Sequence, residues 1–358
     1  MTPPAEPRYA DPPYADPPYA WMNGGIVAWD DCLLHGRSQG AFWGANVFEG
    51  VRGYWSPGTD QLRLFRLDDH LRRLRQSMRA LRLAHRITDS ELVDACCQLC
   101  RANEFREDIH LVIVAYFGRG TGWDTLGVTD DTGIHITALP RPRAPGYAGG
   151  LSVGIASWRR ISDDTIPPRI KSGANYANSR LAHQEAVRHG YDTALILNRG
   201  GTVAESPGAC VVMVREGAVV TSPATSGALE GITVATAAEL ARRHLGLTLT
   251  RREIDRTELY AADELFLCGT LAEIAPVTAV DGIPVGSGSP GPVTRKLQAL
   301  YEHAVRHGAG YEGWLTPVLT PVPAAGADPA AEPAAVQPAG VRSAAGTPAG
   351  VQPAAVGR

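Results

Sequence analysis

Apolar residues in the first part of the chain follow two different periods. Short runs that alternate or are rich in β-branched residues predict strands at residues 26–29, 46–55, 61–65, 109–117 and 133–138. Leucines at helical spacing predict a helix over residues 67–81, and similar spacing predicts another over residues 90–103. Asp68 is expected to cap the first of these helices. Strands, then helices, then strands indicate an α+β domain.

The second part of the chain repeats this mixture with more strands. Strands are predicted at residues 151–157, 192–197, 202–205, 264–268 and 275–280, with two more beside the Glu216-Gly217 turn. Helices are predicted over residues 178–189, 232–244 and 292–307. A Pro-rich break at residues 141–146 separates the two parts. We therefore predict a small α/β domain over 21–140, a linker over 141–146 and a larger, β-rich α/β domain over 147–316.

The two ends of the chain have a different composition. Residues 1–20 repeat a Tyr-Ala-Asp-Pro-Pro unit, and residues 317–358 are rich in Ala, Pro, Gly and Val. Such segments contain too little bulky apolar side chain to form a core. Both are predicted to be disordered tails outside the fold.

Charge and cysteine content narrow the class of protein. The formal net charge of −3 is too small to indicate a nucleic-acid surface, and neither a signal peptide nor a membrane-spanning run is evident. Cys96, Cys97 and Cys100 share one predicted helix, but no second Cys or His cluster completes a metal site, so they are interpreted as small packing positions. We expect a cytoplasmic protein with small-molecule partners, no metal, no nucleic acid and no membrane.

The segment TIPPRIKSGANY at residues 165–176 carries the most specific chemistry. Lys171 follows a rigid Pro-Pro pair and precedes small polar residues, which leave room for a bulky group. It is either a solvated surface charge or an amine that forms a Schiff base with an aldehyde. In the second case pyridoxal phosphate is the expected aldehyde. That cofactor requires a group facing its ring nitrogen, an anion site for its phosphate and a donor near its phenolate.

Several positions have the chemistry for these tasks, although each also has an ordinary structural interpretation. Glu205 ends a predicted strand, where it is either a pocket carboxylate or an exposed acid. Gly231 and Thr233 open a predicted helix, whose N–H groups suit a phosphate, and the turn after Cys268 resembles that entry. Arginine binds phosphate with two donors, and five arginines lie on the helix over 67–81. Of these, Arg73 flanks the apolar stripe, but periodicity alone does not choose it.

Seven segments together resemble the class IV aminotransferases, the fold-type IV pyridoxal phosphate enzymes, and most of all the branched-chain amino acid aminotransferases. In the family's order they are VFEGVR at 47–52, TIP with KSGANY at 165–176, RHGY at 188–191, ALEGIT at 228–233, ELYAAD at 258–263, GT with AE at 269–273, and GPVT at 291–294. The likeness spans about residues 21–314. It implies the two-domain fold of the D-amino acid aminotransferase type, pyridoxal 5'-phosphate as cofactor, and a homodimer or higher homo-oligomer.

The resemblance also implies roles for individual residues. Lys171 corresponds to the Schiff-base lysine and proton shuttle, Glu205 to the carboxylate on the pyridine nitrogen, and Tyr176 to the phenolate partner. The phosphate site and the residue packed on the ring correspond to Arg73, Ile232, Thr233, Thr270 and Leu229. The substrate side corresponds to Phe48 and to the Thr270-Leu271 turn, whose N–H groups face the α-carboxylate.

The substrate side departs from the family's pattern. A Tyr-x-Arg segment is replaced by Asp108-Ile-His110, and Trp43 stands where a pocket tyrosine is common. Asp108 is expected to repel a substrate carboxylate, and His110 is a weaker, pH-dependent cation than arginine. Arg52 or Arg119 is either a replacement cation or a surface charge.

These residues predict an aminotransferase that converts an L-amino acid to its 2-oxo acid. Because the cofactor residues fit the family while the substrate residues depart from it, we predict transamination of the branched-chain aminotransferase type, on a substrate with an apolar or modified side chain and with an amino donor other than glutamate. One alternative is another fold-type IV reaction, namely a lyase or a transaminase for a D-amino acid or an unusual amine. The other is a binding protein that retains the fold without catalysis.

Overall fold

A computed structural model describes residues 15–120, 129–144 and 146–319. Its first sheet has seven strands, all of them antiparallel to their neighbours, in the order β16-β4-β3-β5-β6-β1-β2. These strands are β1 (Tyr19–Met22), β2 (Gly25–Ala28), β3 (Asn46–Ser56), β4 (Gln61–Phe65), β5 (Ile109–Phe117), β6 (Thr132–Pro140) and β16 (Leu315–Pro317). The helices that accompany this sheet are α1 (Gln39–Phe42), α2 (Leu67–Ala80) and α3 (Asp89–Ala102).

Alternating side chains along β3 show which face of the first sheet packs against α2. Val47 and Val51 are fully buried and belong to the same core cluster as Leu71 and Leu74, which lie on the apolar face of α2. Because side chains alternate along a strand, the even-numbered positions of β3 face the opposite side of the sheet. The three cysteines of α3 are buried in this same core.

The second sheet has nine strands of mixed direction. They are β7 (Leu151–Arg159), β8 (Thr193–Leu197), β9 (Val203–Glu205), β10 (Cys210–Arg215), β11 (Ala218–Thr221), β12 (Leu249–Arg251), β13 (Glu264–Gly269), β14 (Glu273–Val280) and β15 (Ile283–Pro284). The helices in this part are α4 (Gly146–Gly149), α5 (Asn175–Arg188), α6 (Ile232–Leu240) and α7 (Pro292–Arg306). In the described residues, no helix is both long and apolar enough to cross a membrane.

Most predicted elements are present, with informative differences at their ends. Asp68 does not cap α2, because the preceding residue is Arg66 in a left-handed conformation with φ of 54°, and Asp68 lies in the first turn. Helix α5 begins at Asn175, three positions before its predicted start. Strands β1, β12 and β16 were absent from the prediction.

The predicted domain boundaries at residues 21 and 316 fall inside strands β1 and β16, respectively. Both strands belong to the first sheet, so the chain returns to that sheet after completing the second one. Of the predicted tails, residues 1–14 and 320–358 lie outside the described residues.

Candidate active site

The loop that carries Lys171 lies against the backbone of β3. The N–H of Phe48 donates to the Lys171 carbonyl oxygen over 2.9 Å, and Val47 forms an isolated β-bridge with Ser172. The Asn175 side-chain amide donates to the carbonyl oxygens of Pro167 and Ile170 at 3.1 and 2.8 Å. These bonds fix the backbone on both sides of the lysine, so its side chain leaves the loop in a defined direction.

The Lys171 amine lies beside two aromatic rings. Its Nζ donates to the Tyr176 hydroxyl over 2.7 Å and lies 4.8 Å from the centroid of the Phe48 ring. Tyr176 lies in the first turn of α5, five residues after Lys171. The chain contains two lysines, and the other, Lys296, is exposed on α7. Of the two amines, Lys171 is therefore the one that an aldehyde in a cavity would meet.

A cavity opens around this amine. It is lined by each residue that the sequence assigned to the cofactor: Arg73, Lys171, Tyr176, Glu205, Leu229, Ile232, Thr233 and Thr270. These residues come from α2, the lysine loop, α5, β9, the entry of α6 and the turn between β13 and β14. The fold thus brings positions separated by nearly 200 residues to one cavity.

Glu205 is a buried carboxylate in the wall of this cavity. The residue is 5% exposed, so the alternative of an exposed strand-end acid is wrong. One carboxylate oxygen lies 2.6 Å from the Arg160 guanidinium, and the other accepts the Leu229 N–H over 2.8 Å. Burial raises the pKa of Glu205, and Arg160 opposes that rise. Sequence reasoning missed Arg160, which follows β7 and in the sequence looks like one more surface arginine.

The entry of α6 has the features of an anion site. Gly231 precedes the helix in an extended conformation, and no side chain caps the free N–H groups of the first turn. A Cβ at Gly231 would lie 2.8 Å from the Cys210 sulfur, so any side chain there would crowd the entry. Thr233 is buried in that first turn, and Arg73 reaches the same cavity from α2.

These groups together fit pyridoxal phosphate. The lysine amine suits its aldehyde, the neighbouring Tyr176 hydroxyl suits its phenolate, and the buried Glu205 carboxylate suits a protonated ring nitrogen. The arginine and the open helix entry suit its phosphate. Four different chemical requirements are met by one cavity.

The predicted substrate residues are less closely grouped. Thr270 lines the cavity, and the Phe48 ring lies edge-on to Tyr176 with 4.9 Å between centroids. Leu271 is 39% exposed, and Trp43, which follows α1, is 38% exposed. His110 lies opposite Arg52 in the β3–β5 register. Burial lowers the pKa of His110 to about 4, with Arg52 adding to the effect, so His110 is uncharged near neutral pH.

Two expectations about charged residues are corrected by the structure. Asp108 does not present a free charge, because its carboxylate accepts from both terminal nitrogens of Arg306 at 2.5 and 2.6 Å and from the Trp55 N–H. Arg52 is not a surface residue, since it is 2% exposed. Its Nη2 lies 3.7 Å from Asp108 and 3.5 Å from Glu273. Arg52 is therefore partly neutralised by carboxylates of the protein itself.

Comparison with known proteins identifies the family. The family model described as amino-transferase class IV matches residues 46–280. The chain belongs to this family. As a class IV aminotransferase it is a pyridoxal phosphate-dependent transaminase with the fold-type IV architecture, and those predictions are confirmed.

Individual relatives cover more than four fifths of the chain. This class IV aminotransferase is 37% identical over 304 residues to a branched-chain-amino-acid aminotransferase of Salmonella typhimurium, covering 83% of this chain and 96% of that protein. The structure of a branched-chain amino acid aminotransferase from Thermobaculum terrenum in its PLP form is 43% identical, with a TM-score of 0.78 over 85% of this chain and 99% of that one. A branched-chain aminotransferase from Thermoproteus uzoniensis, solved with norvaline, is 36% identical with a TM-score of 0.78, covering 84% and 99%.

Proposed function

We propose that this enzyme moves the amino group of an L-amino acid with an apolar side chain onto a 2-oxo acid, with Lys171 as the catalytic base and acid. The observation that carries this proposal is the position of Lys171, which is the one lysine of two that lies in the cavity, with Tyr176 and Glu205 beside it. The names of the similar proteins and the norvaline bound to one of them support an aliphatic substrate.

The mechanism follows from what each side chain can hold or move. Bound pyridoxal phosphate supplies an electrophilic carbon and a conjugated ring that withdraws electrons from the substrate α-carbon. With the cofactor bound, Lys171 would hold its aldehyde carbon, and the Nζ freed by a substrate amine would carry the proton from the substrate α-carbon to the cofactor carbon. The Tyr176 hydroxyl, 2.7 Å from Nζ, orients that amine. Glu205 lines the same cavity, and its carboxylate would face the ring nitrogen of the bound cofactor and favour its protonated form.

The charges around the substrate side support apolar substrates over acidic ones. His110 is uncharged near neutral pH, and Arg52 already has Asp108 and Glu273 as partners. Neither residue offers an unopposed cation to a second substrate carboxylate. We therefore propose that glutamate is a poor amino donor. A lyase reaction, or transamination of a D-amino acid or an unusual amine, is the alternative that the test below separates.

The test is a screen of half-reactions with single amino acids, read by the change in the cofactor's visible absorbance. We expect valine, leucine or isoleucine to change the spectrum and yield the corresponding 2-oxo acid by mass spectrometry, with glutamate reacting more slowly. A D-amino acid or an amine as sole substrate, or a product other than the 2-oxo acid, would favour the alternative reactions. Absence of any half-reaction would overturn the proposal.

Two lysine variants form a matched pair for the catalytic role. Lys171→Ala is expected to abolish attachment of the cofactor's aldehyde to the protein, because the variant keeps no amine in the cavity. Lys296→Ala, which removes the exposed amine of α7, is expected to leave attachment intact. Borohydride reduction followed by peptide mapping reads out attachment. A labelled peptide containing Lys296 in the wild-type enzyme would show that the wrong lysine was assigned.

We further propose that the enzyme works in the cytoplasm as a homodimer or a larger homo-oligomer. The support for the location is indirect, since all six cysteines are free. The support for assembly is the family resemblance. Sedimentation velocity of the purified protein measures its mass, and a single species of monomer mass would contradict the assembly.

A further inference from the structure

A charged residue interrupts the apolar face of β3. Glu49 lies between Val47 and Val51 on the side of the strand that faces α2, and it is completely buried. Its two partners, His70 and Arg73, come from that helix and are 2% and 9% exposed. Burying a carboxylate costs several kcal/mol unless it is paired and hydrogen-bonded. A residue at this position therefore calls for a reason beyond packing.

The geometry around Glu49 is that of a bidentate clamp. Arg73 Nε donates to one carboxylate oxygen and Nη2 to the other, each over 2.7 Å. His70 Nδ1 lies 2.8 Å from the second oxygen. Burial alone would raise the pKa of Glu49, but the bonds from Arg73 and His70 lower it to about 2. Burial lowers the pKa of His70, and its Nδ1 donates to the ionised carboxylate, which can only accept.

The clamp determines which donors of Arg73 remain for a ligand. A guanidinium has five N–H donors in a rigid plane. Glu49 takes one from Nε and one from Nη2, and the Glu230 carbonyl oxygen takes one from Nη1 over 2.9 Å. Two donors are left, one on each terminal nitrogen, on a side chain that lines the cofactor cavity. Arginine N–H donors of this kind bind phosphate oxygens.

We propose that Glu49 and His70 are positioning residues that hold Arg73 with its two remaining donors toward the phosphate of the cofactor. The proposal rests on the role assigned to Arg73 under the proposed function. Because Glu49 also cancels the arginine's charge, orientation rather than net charge is what this pair contributes. His70 in turn restricts the orientation of the Glu49 carboxylate, because its Nδ1–H binds one of the two oxygens. The effect is therefore specific to ligands that carry a phosphate.

The experiment compares two ligands that differ only in the phosphate. Apoenzyme is titrated with pyridoxal 5'-phosphate and with pyridoxal, and attachment to Lys171 is followed by absorbance. For Glu49→Gln we expect the Kd of the phosphorylated ligand to rise tenfold or more, because an amide NH₂ faces a donor of Arg73. The Kd of pyridoxal is expected to stay within twofold. Asp69→Asn is the matched control, since Asp69 lies on the same helix and pairs with Arg72 and with Arg66, the residue before the helix, and both Kd values should stay within twofold.

A second pair of variants keeps the proposal testable even if Glu49→Gln does not fold. His70→Asn places an amide N–H near the position of Nδ1 and is expected to retain affinity, whereas His70→Leu removes the donor and should weaken phosphate-dependent binding about threefold or more. Equal loss for both ligands, or an unchanged ratio of the two Kd values in Glu49→Gln and His70→Leu, would overturn the positioning role. If the wild-type protein bound neither ligand, the proposed function itself would fail, which is a different result.

Discussion

Glu205 has two partners supplied by the protein before any ligand arrives. Arg160 and the Leu229 N–H each take one of its carboxylate oxygens. A carboxylate that is buried and held on both sides has one preferred orientation, which suits a residue that must meet a ring nitrogen edge-on. Arg160 also offsets the rise in pKa that burial causes, so it favours the ionised form that the chemistry requires.

Replacing this carboxylate by an amide tests its role at the residue scale. Glu205→Gln is expected to slow the half-reaction with an aliphatic amino acid by about 100-fold or more, because an amide does not keep the ring nitrogen protonated. Attachment of the cofactor to Lys171 should persist. Stopped-flow absorbance measures the rate, and Glu185→Gln, which alters a carboxylate bound to Ser157 on the outside of α5, serves as control. A rate within threefold of wild type would contradict the assigned role.

Among individual residues, those that line the cofactor cavity were predicted better from the sequence than the buried charged residues near it. The residues assigned to the cofactor all line one cavity, because motif segments preserve local geometry. Glu49, Arg160 and Arg52 were missed or misjudged for a common reason. A buried charge is recognisable only through its partner, and the partners here come from other elements, far away in the chain.

The bounds of helices and strands were also predicted unevenly from the sequence. Strand β4 was predicted at its observed bounds, since residues 61–64 alternate between polar and apolar before the apolar Phe65. Strands β12 and β16 have three residues each, which is too few for a period to be visible. Helix α5 starts at Asn175 because the side chain of that residue binds the lysine loop, a tertiary contact that propensity does not register.

Asp108 links the beginning of β5 to the end of α7 through its bonds from Arg306. Asp108→Asn is expected to lower the free energy of unfolding by about 2 kcal/mol, because it weakens the bidentate bond to a half-buried Arg306. Urea denaturation measures this loss. The KM for an aliphatic amino acid should stay within twofold. A changed KM with unchanged stability would instead restore the substrate role first inferred from the sequence.

Acid sensitivity is a property of the whole molecule to which buried histidines contribute. Burial lowers the pKa of His70, and it lowers that of His110 to about 4, compared with about 6.5 in an unfolded chain. Between these values the unfolded chain binds more protons than the folded one. The free energy of unfolding therefore falls as the pH decreases from about 6.5 toward 4.

The contribution of His110 to this loss can be isolated. Between pH 7.5 and pH 5 it is expected to amount to about 2 kcal/mol, so His110→Gln should lose that much less stability over the same range. Urea denaturation of both proteins at the two pH values gives the difference. An identical loss in the two proteins would show that His110 is protonated in the folded state as readily as in the unfolded one.

The return of β16 to the first sheet has a consequence for the nascent chain. Leu315 pairs with Phe65, a residue that leaves the ribosome 250 positions earlier. At roughly 5–20 residues per second, the outer edge of β4 waits on the order of 10–50 s for this partner. An unpaired strand edge invites pairing with other chains, and a charge on it discourages that. Arg63, at the centre of β4, provides such a charge during the interval between synthesis of the two strands.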